Sequence, residues 1–230
     1  MSRSRVFLCS KRGTVSRILI FGSGRRSGRA ILTEARSHGH QVTAAVREPV
    51  KHADLAGVAI ALVTADAADQ QDVSNVALEN DVTVNATRSV GAIASEYLIK
   101  LNGALFTGLS EAGVHRLLTI GDTGTLEVAP GTQSVDISAF LEFPKPKGLA
   151  QRKALRELPA MDGENDCIYA APPPKFVADG PRTGKCRIGR NTVLTGGPNN
   201  REISYADYAI DIIDEIESPQ YHCERMVLAY

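Results

Sequence analysis

The sequence is poor in the features that define several specialised classes of protein. It contains no tryptophan, only four cysteines, and 26 basic side chains against 26 acidic ones. The cysteines are far apart and form no CxxC or Cys/His pair at metal-ligand spacing, so we expect free thiols in a reducing compartment, the cytoplasm, and no metal site. A net charge of zero removes bulk electrostatics as an argument for nucleic-acid binding.

Long apolar runs are also absent. No stretch approaches the roughly 20 residues needed to cross a bilayer, and the N-terminus lacks the apolar core of a secretory signal. Residues 1–16 are rich in Arg, Lys and Ser and contain no acid. We interpret them as a flexible extension, with a transit peptide or a nucleic-acid arm as alternatives. With 43% hydrophobic and 23% charged residues, the chain has the composition of an ordinary globule, and residues 17–230 are expected to form one domain.

From residue 17 onward, short apolar runs alternate with Gly or Asp turns and with helical patterns. Predicted strands are residues 18–21, 41–46, 58–63, 82–86, 117–120 and 166–170. Predicted helices are residues 29–37, a polar segment after Asp66, residues 95–111, and a C-terminal helix that opens with a capping box at Ser204 and Asp207. Its polar face is expected to be solvated and carries Asp211, Asp214, Glu215 and Glu217. This order predicts an α/β fold, a doubly wound parallel sheet of the Rossmann type.

Two proline-containing segments lack clear periodicity and are predicted to be substrate loops. They lie near residues 122–149 and 172–186. In a doubly wound fold, the loops after the late strands lie over the cofactor crevice. These loops are therefore expected to form the walls of a site for a small molecule.

A glycine-rich cluster directly follows the first predicted strand and opens the first helix. Its residues are Gly22, Ser23, Gly24, Arg25, Arg26, Ser27 and Gly28. Glycine allows a tight turn in which backbone N–H groups approach a pyrophosphate, and the positive end of the helix stabilises that charge. The context predicts a dinucleotide-binding turn; a loop that needs only flexible residues is the alternative.

The end of the second predicted strand indicates which nicotinamide cofactor is preferred. An acid at this place binds a free ribose hydroxyl, whereas an arginine accommodates a 2′-phosphate. Here the strand ends in Arg47, and Arg25 and Arg26 lie in the preceding turn. These arginines favour NADP(H), unless they are only solvated surface residues. The predicted cofactor site also includes Asp66, Ala86, Thr87, Gly121 and Pro172.

Taken in order, the motifs resemble one known family. They are the glycine-rich turn, VTAAVREP, a third strand ending in TAD, HRLLTIGDTGTLEVAPG, RTGKCRIG, and EISYADYAIDIIDEIESPQYHCERMVLAY. Together they resemble the atypical short-chain dehydrogenase/reductases of the NAD(P)H-binding, NmrA-like group, over nearly all of the chain after residue 17. The resemblance implies a single Rossmann domain that binds NADP(H). It also implies an oxidoreductase, or in some relatives a redox-sensing regulator without catalysis.

The chain departs from this family's pattern at two places. Relatives usually show GxxGxxG, with a glycine where this chain has Arg25, so its second glycine is displaced to Gly24. The YxxxK pair of ordinary short-chain dehydrogenases is also missing. Tyr97 and Lys100 are one residue too close together, and the position of a tyrosine found in some relatives is occupied by Pro144. Tyrosine-based carbonyl reduction is therefore disfavoured.

The loop after the fifth predicted strand supplies the candidate catalytic residues. The resemblance implies a Ser or Thr here that bonds a substrate carbonyl or the nicotinamide amide, which assigns Thr123. Asp122 is a possible general acid or base, although a turn-forming role is the commoner one for a loop Asp. Tyr169 and His115 are interpreted as structural.

These observations lead to one preferred function and two alternatives. The preferred function is an NADP(H)-dependent reductase of a small organic substrate of quinone, flavin or carbonyl type, with the proton managed by water or by Asp122 and Thr123. The alternatives are an NADP(H)-sensing regulator without turnover and a non-redox cyclase or isomerase. Neither nucleic acid nor membrane is expected as a partner, and the protein is expected to be a monomer or a homodimer.

Overall fold

The structure is a computed structural model that describes residues 15–87, 94–138, 145–156, 166–196 and 201–230. Most of the predicted N-terminal extension, and the part of the first predicted substrate loop from 139 to 144, lie outside these residues. The helices are α1 (Arg26–Ser37), α2 (Gln70–Ala77), α3 (Ala94–Glu111), α4 (Lys145–Arg156) and α5 (Tyr205–Glu217). The strands are β1 (Arg17–Phe21), β2 (Gln41–Val46), β3 (Ala61–Thr64), β4 (Val82–Asn85), β5 (Arg116–Ile120), β6 (Glu127–Ala129), β7 (Thr132–Gln133), β8 (Asp166–Ala171), β9 (Lys175–Val177), β10 (Arg187–Arg190), β11 (Glu202–Ser204) and β12 (Arg225–Ala229).

The central sheet confirms the predicted doubly wound architecture. It has eight strands in the order β10-β12-β8-β5-β4-β1-β2-β3. Every neighbouring pair is parallel except β10 and β12. The chain runs outward from β1 to β2 and β3, then returns to β4 on the other side of β1 and continues to β5 and β8. The strand order therefore reverses between β1 and β4, and a crevice opens there at the carboxyl ends of the strands.

Both faces of the sheet are buried, which explains why the strands read as continuous apolar runs. On β1, Ile18 and Ile20 pack into the core beneath α1 and α5, and Leu19 and Phe21 pack into the core beneath α2 and α3. All four side chains are at most 1% exposed. Since successive side chains of a strand point to opposite faces, one short apolar segment serves both cores.

Three predicted elements differ from the structure. The second predicted substrate loop, near 172–186, contains strand β9, which pairs with β11. The third strand was expected at residues 58–63, but β3 covers Ala61–Thr64 and follows a 3₁₀ helix over Pro49–Gly57. The segment before Leu149 was expected to be a loop, but it contains the β6–β7 hairpin and the start of α4. Pro146 does not prevent this helix because it lies in the first turn, where a backbone N–H has no intrahelical partner.

The polar face of α5 is only partly solvated, so this prediction was wrong for Glu215. Its carboxylate is 3% exposed, pairs with Arg116 at 2.7 Å and accepts two backbone N–H groups from the turn after the helix. Asp214 is exposed, while Asp211 and Glu217 are partly buried. The sequence pattern misses this because Glu215 compensates the charge of a residue on a distant strand.

The partly buried carboxyl of Asp211 makes stability depend on pH. Burial raises the pKa of this group from 3.8 to about 7, and the Cys186 thiol donates to it at 2.6 Å. The folded protein binds the proton of the Asp211 carboxyl more tightly than the unfolded chain does. The contribution of this group to the free energy of unfolding is therefore complete below about pH 4 and is lost as the pH rises through about 7. Asp211→Asn should therefore raise the free energy of unfolding by about 4 kcal/mol at pH 8, since a pKa difference of about three units corresponds to about 1.4 kcal/mol per unit, and should barely change it at pH 4. Urea unfolding at both pH values measures this, and an equal effect at the two would contradict it.

Candidate dinucleotide-binding and active site

The turn after β1 forms a cradle that excludes side chains. Gly22 has φ +76°, and a Cβ there would lie 2.6 Å from the carbonyl oxygen of Ala86. A Cβ on Gly28 would lie 2.4 Å from the carbonyl oxygen of Gly22. The first turn of α1 thus packs directly against the end of β1, as a dinucleotide-binding turn requires. Ser23 is buried inside the cradle and donates to the carbonyl of Ile20 at 2.6 Å.

The N-terminus of α1 is left open for an anion. Arg25 is its N-cap residue, in an extended conformation, and its side chain makes no capping hydrogen bond. The first turn contains no acid. Free N–H groups and the positive end of a helix favour a phosphate at this place. The cradle and the uncapped helix together fit the pyrophosphate of a nicotinamide dinucleotide.

His52 lies against the second glycine of the cluster, Gly24. The His52 ring comes from the 3₁₀ helix after β2, and a Cβ on Gly24 would lie 2.4 Å from it. Arg29 donates to the Gly24 carbonyl at 3.2 Å and pairs with Asp54 of the same 3₁₀ helix. Sequence reasoning missed His52 because the 3₁₀ helix was not predicted.

Exposed basic side chains follow β1 and β2. Arg25, Arg26 and Arg47 are exposed, and none forms an ion pair with another residue that the structure describes. Arg47 directly follows β2, which neighbours β1 in the sheet. The predicted arginines are therefore grouped where positive charge is available to a ligand.

The ends of β3 and β4 lie beside the cradle. Asp66 accepts the N–H of Ala68 at 3.0 Å and shapes the turn into α2. Burial and the charge of Asp66 raise the pKa of the Tyr97 phenol, against the opposing effect of Arg47 and Arg25. After β4, Ala86 donates its N–H to Phe21, while Thr87 donates its hydroxyl to Asn85 at 2.6 Å.

A second group of predicted residues follows β5. Asp122 caps the short 3₁₀ turn Thr123–Thr125, since its Oδ1 accepts the N–H of Gly124 at 2.8 Å. Its Oδ2 pairs with Lys147 Nζ at 2.6 Å. The hydroxyl of Thr123 donates to the carbonyl of Pro172, after β8, at 2.8 Å. Asp122, Thr123 and Pro172 thus come together, and α4 adds Lys147, which sequence reasoning missed.

Tyr169 lies on β8 and packs against the loop after β5. Its ring packs against Gly121, where a Cβ would lie 2.1 Å from a ring carbon. Tyr169 is 5% exposed, and its burial raises the pKa of the phenol. Gly121 also donates its N–H to the Ala170 carbonyl at 2.7 Å. A larger residue at 121 would push the loop away from β8.

The second predicted substrate loop is tied to the helices. Asp207, which is 1% exposed, accepts the N–H groups of Thr183 and Gly184 at 2.8 and 2.9 Å. Arg182 pairs with Glu34 of α1 at 2.6 Å. The RTGK motif therefore binds to Asp207, the Asp of the SYADYA motif, and this contact holds the chain after β9 in place.

One group of possible metal ligands lies at the C-terminal end of α1. His38, His40 and Glu217 have ligand atoms within 4.8 Å of one another. The Ser16 N–H donates to His40 Nδ1 at 3.1 Å, so Nε2 carries the proton and donates to Glu217 at 3.2 Å. His38 is paired with Glu217 and with Glu34. We assign no metal here because the His40 nitrogen that would bind it is already a donor.

The carboxyl ends of β1 to β5 and β8 lie along one edge of the parallel sheet, so the two groups of residues lie at the same edge. One end of it carries the glycine cradle and the arginines, and the other carries Asp122, Thr123 and Lys147. No helix among the described residues combines the length and apolarity needed to span a bilayer. The fold and the cradle define a nicotinamide dinucleotide-binding protein of the α/β class.

Comparison with known proteins agrees with this class. The chain belongs to the family described as NAD(P)H-binding, which matches residues 22–218, and this confirms the family resemblance. A candidate exported protein from Burkholderia pseudomallei is 33% identical, with a TM-score of 0.82 over 94% of this chain and 100% of that one. A candidate epimerase from Bacteroides thetaiotaomicron is 29% identical, with a TM-score of 0.80 over 94% and 98%. A candidate NADH-flavin reductase from Streptococcus pneumoniae is 26% identical, with a TM-score of 0.73 over 93% and 98%.

Proposed function

We propose that the protein is a cytoplasmic NADP(H)-dependent reductase of a small organic acceptor. The observation that carries this is the glycine cradle with the uncapped N-terminus of α1, in a chain of the NAD(P)H-binding family. In this assignment the backbone of residues 22–28 binds the pyrophosphate. The bound dinucleotide supplies a hydride, and the residues after β5 and β8 orient the acceptor.

The preference for NADP(H) is assigned to the arginines. A 2′-phosphate at the end of β2 would meet Arg47, with Arg25 close by in the turn after β1. Glu48 is the nearest acid in sequence, and it pairs with Lys51 at 2.6 Å. The acid that would favour the free hydroxyl of NADH is therefore already paired.

The acceptor is assigned to the flavin or quinone type because the YxxxK pair is missing and the one tyrosine described beside Asp122, Tyr169, is buried. Tyr97 lies near Asp66, at the end of β3, and Lys100 follows it by only three residues. Neither residue belongs to the group around Asp122. A conjugated acceptor needs less help with protonation than a simple ketone does, so it suits a site without a tyrosine–lysine proton relay.

The Arg47→Asp variant tests the cofactor preference. NADPH should bind the unmodified protein at least about tenfold more tightly than NADH, and Arg47→Asp should remove the difference because the carboxylate repels the 2′-phosphate. Calorimetric titration with both nucleotides measures this. Arg201→Asp makes the same charge change at an exposed residue before β11 and should keep the preference. Equal affinities in the unmodified protein would refute the assignment.

Oxidation of NADPH in the presence of flavins, quinones and carbonyl compounds tests the reductase function. Turnover with at least one acceptor is expected, fastest with the conjugated ones. Tight NADPH binding without turnover would favour a nucleotide-sensing regulator. Conversion of a compound without added nucleotide would favour a non-redox isomerase or cyclase.

A further inference from the structure

The bonds of Asp122 and Thr123 show which group after β5 has a proton to give. Both carboxylate oxygens of Asp122 are occupied, one by the N–H of Gly124 and the other by the ammonium of Lys147. A carboxylate paired in this way accepts hydrogen bonds and has no proton to donate. The hydroxyl hydrogen of Thr123 is directed to the Pro172 carbonyl. Neither residue is arranged to protonate a substrate.

Lys147 has the proton that the other two lack. Its ammonium carries three N–H donors, and one of them is directed at Asp122. Its side chain is 37% exposed, whereas that of Asp122 is only 10% exposed. The ammonium therefore contacts a nearly buried anion on one side and is open to solvent on the other. Asp122 fixes one N–H and leaves the others directed toward a molecule bound beside the loop after β5.

The backbone of α4 holds Lys147 at this place. Gly148 packs against the loop after β5, where a Cβ would lie 3.4 Å from Gly124 Cα and 3.6 Å from Asp122 Oδ1. Gly148 and the ion pair between Lys147 and Asp122 thus bind the first turn of α4 to this loop, which restricts where the Lys147 ammonium can lie. Arg152, one turn further along, pairs instead with Asp136 of the segment after β7, at 2.5 Å.

We propose that Lys147 is a catalytic residue that donates the proton to the acceptor and that Asp122 is the positioning residue that orients it. The proposal rests on the proposed reductase function. A hydride leaves the reduced nicotinamide and forms a bond to the acceptor, whose electron pair moves to a heteroatom. That heteroatom takes a proton from Lys147 Nζ, and the resulting amine recovers one from water. NADPH is oxidised to NADP⁺ and the acceptor is reduced by two electrons, so no further reactant is required.

The structure further indicates which part of the acceptor faces α4. Positive charge beside the crevice stabilises an acceptor heteroatom that becomes negative as the hydride arrives. An enolate, a hydroquinone oxygen or a ring nitrogen of a reduced flavin fits this description. Lys147 therefore contributes more in the transition state than in the ground state, and its removal should lower kcat more than it raises KM.

The Lys147→Met variant tests the proposal because it keeps the length of the side chain and removes the charge and the protons. With the acceptor that the unmodified protein reduces fastest, kcat should fall about 10²-fold or more, while the NADPH dissociation constant stays within about twofold. Lys147→Arg keeps the charge and should retain more activity than the Met variant. Arg152→Met removes the neighbouring ion pair of the same helix and should leave kcat within a few-fold.

A double-mutant cycle separates the two roles. If Asp122 acts through Lys147, the single substitution Asp122→Asn lowers kcat. In a protein that already carries Lys147→Met, the same substitution lowers kcat little further. Normal turnover by a folded Lys147→Met variant would overturn the proposal and leave the reductase function standing. Full additivity would show that Asp122 acts independently and would overturn its positioning role. Absence of turnover by the unmodified protein with every acceptor would overturn both the reductase function and the proton donor.

Discussion

Gly28→Val is expected to abolish NADPH binding in a protein that still folds. A Cβ at this position would lie 2.4 Å from the Gly22 carbonyl oxygen and 2.9 Å from Ser23 Cα. Both are backbone atoms, so the contact is relieved only when the first turn of α1 moves away from β1. That movement takes the free N–H groups away from the pyrophosphate. Calorimetric titration with NADPH measures the loss, and circular dichroism checks the fold.

Two further glycine variants make this result interpretable. Gly103→Ala, inside α3, introduces a methyl group with no atom within 4 Å. It should leave NADPH binding unchanged and raise the free energy of unfolding by about 0.5–1 kcal/mol. Gly28→Ala introduces the same close contact with the smallest side chain, and it replaces the valine variant if that variant does not fold. Unchanged NADPH affinity in a folded Gly28 variant would mean that the cluster is only a loop.

Asp207→Ala should destabilise the protein by about 3 kcal/mol or more. The carboxylate accepts the N–H groups of Thr183 and Gly184, the Thr183 hydroxyl, and the hydroxyl of Tyr230 at 2.7 Å. Each buried donor left without an acceptor costs about 1–3 kcal/mol, partly reduced where water can reach it. Urea unfolding at neutral pH measures the difference.

The same variant should loosen the chain after β9. Amide hydrogen exchange at Thr183 and Gly184 should become faster, because their N–H groups lose their acceptor. Asp214→Ala is the matched control, since Asp214 lies two turns further along α5 and is exposed. It should change the free energy of unfolding by no more than about 0.5 kcal/mol. Equal effects of the two substitutions would contradict the anchoring role of Asp207.

The order of strands and helices could be predicted because both cores draw on the same short apolar runs. β2 matches the predicted residues 41–46, and β1, β4, β5 and β8 differ from their predictions by one residue at an end. Each of these strands is mostly buried and bounded by turn residues, so composition alone marks it. The 3₁₀ helix before β3 has no such mark, since only Leu55 in it is buried.

The candidate site could be predicted in part, and the missing residues share a cause. Glycines after a strand and an arginine after the next one are local signals, so Gly22, Gly28 and Arg47 could be found from the sequence. Lys147 approaches the site from a segment that was predicted to be a loop and is the start of α4, and His52 approaches it from a 3₁₀ helix that was not predicted. Their partners, Asp122 and Gly24, are more than 20 residues away in sequence, and no local sequence pattern indicates such a contact.

The measurement that tests the central claim most directly is a calorimetric titration of the unmodified protein with NADPH. The cradle and the open N-terminus of α1 predict saturable binding at a single site, and the arginines around it predict affinity at least about tenfold greater than for NADH. Heat of binding that saturates with one NADPH per chain, and that is absent in folded Gly28→Val, is the expected result. No detectable binding at concentrations up to about 1 mM, where even a binding free energy of only about −4 kcal/mol would register, would contradict it.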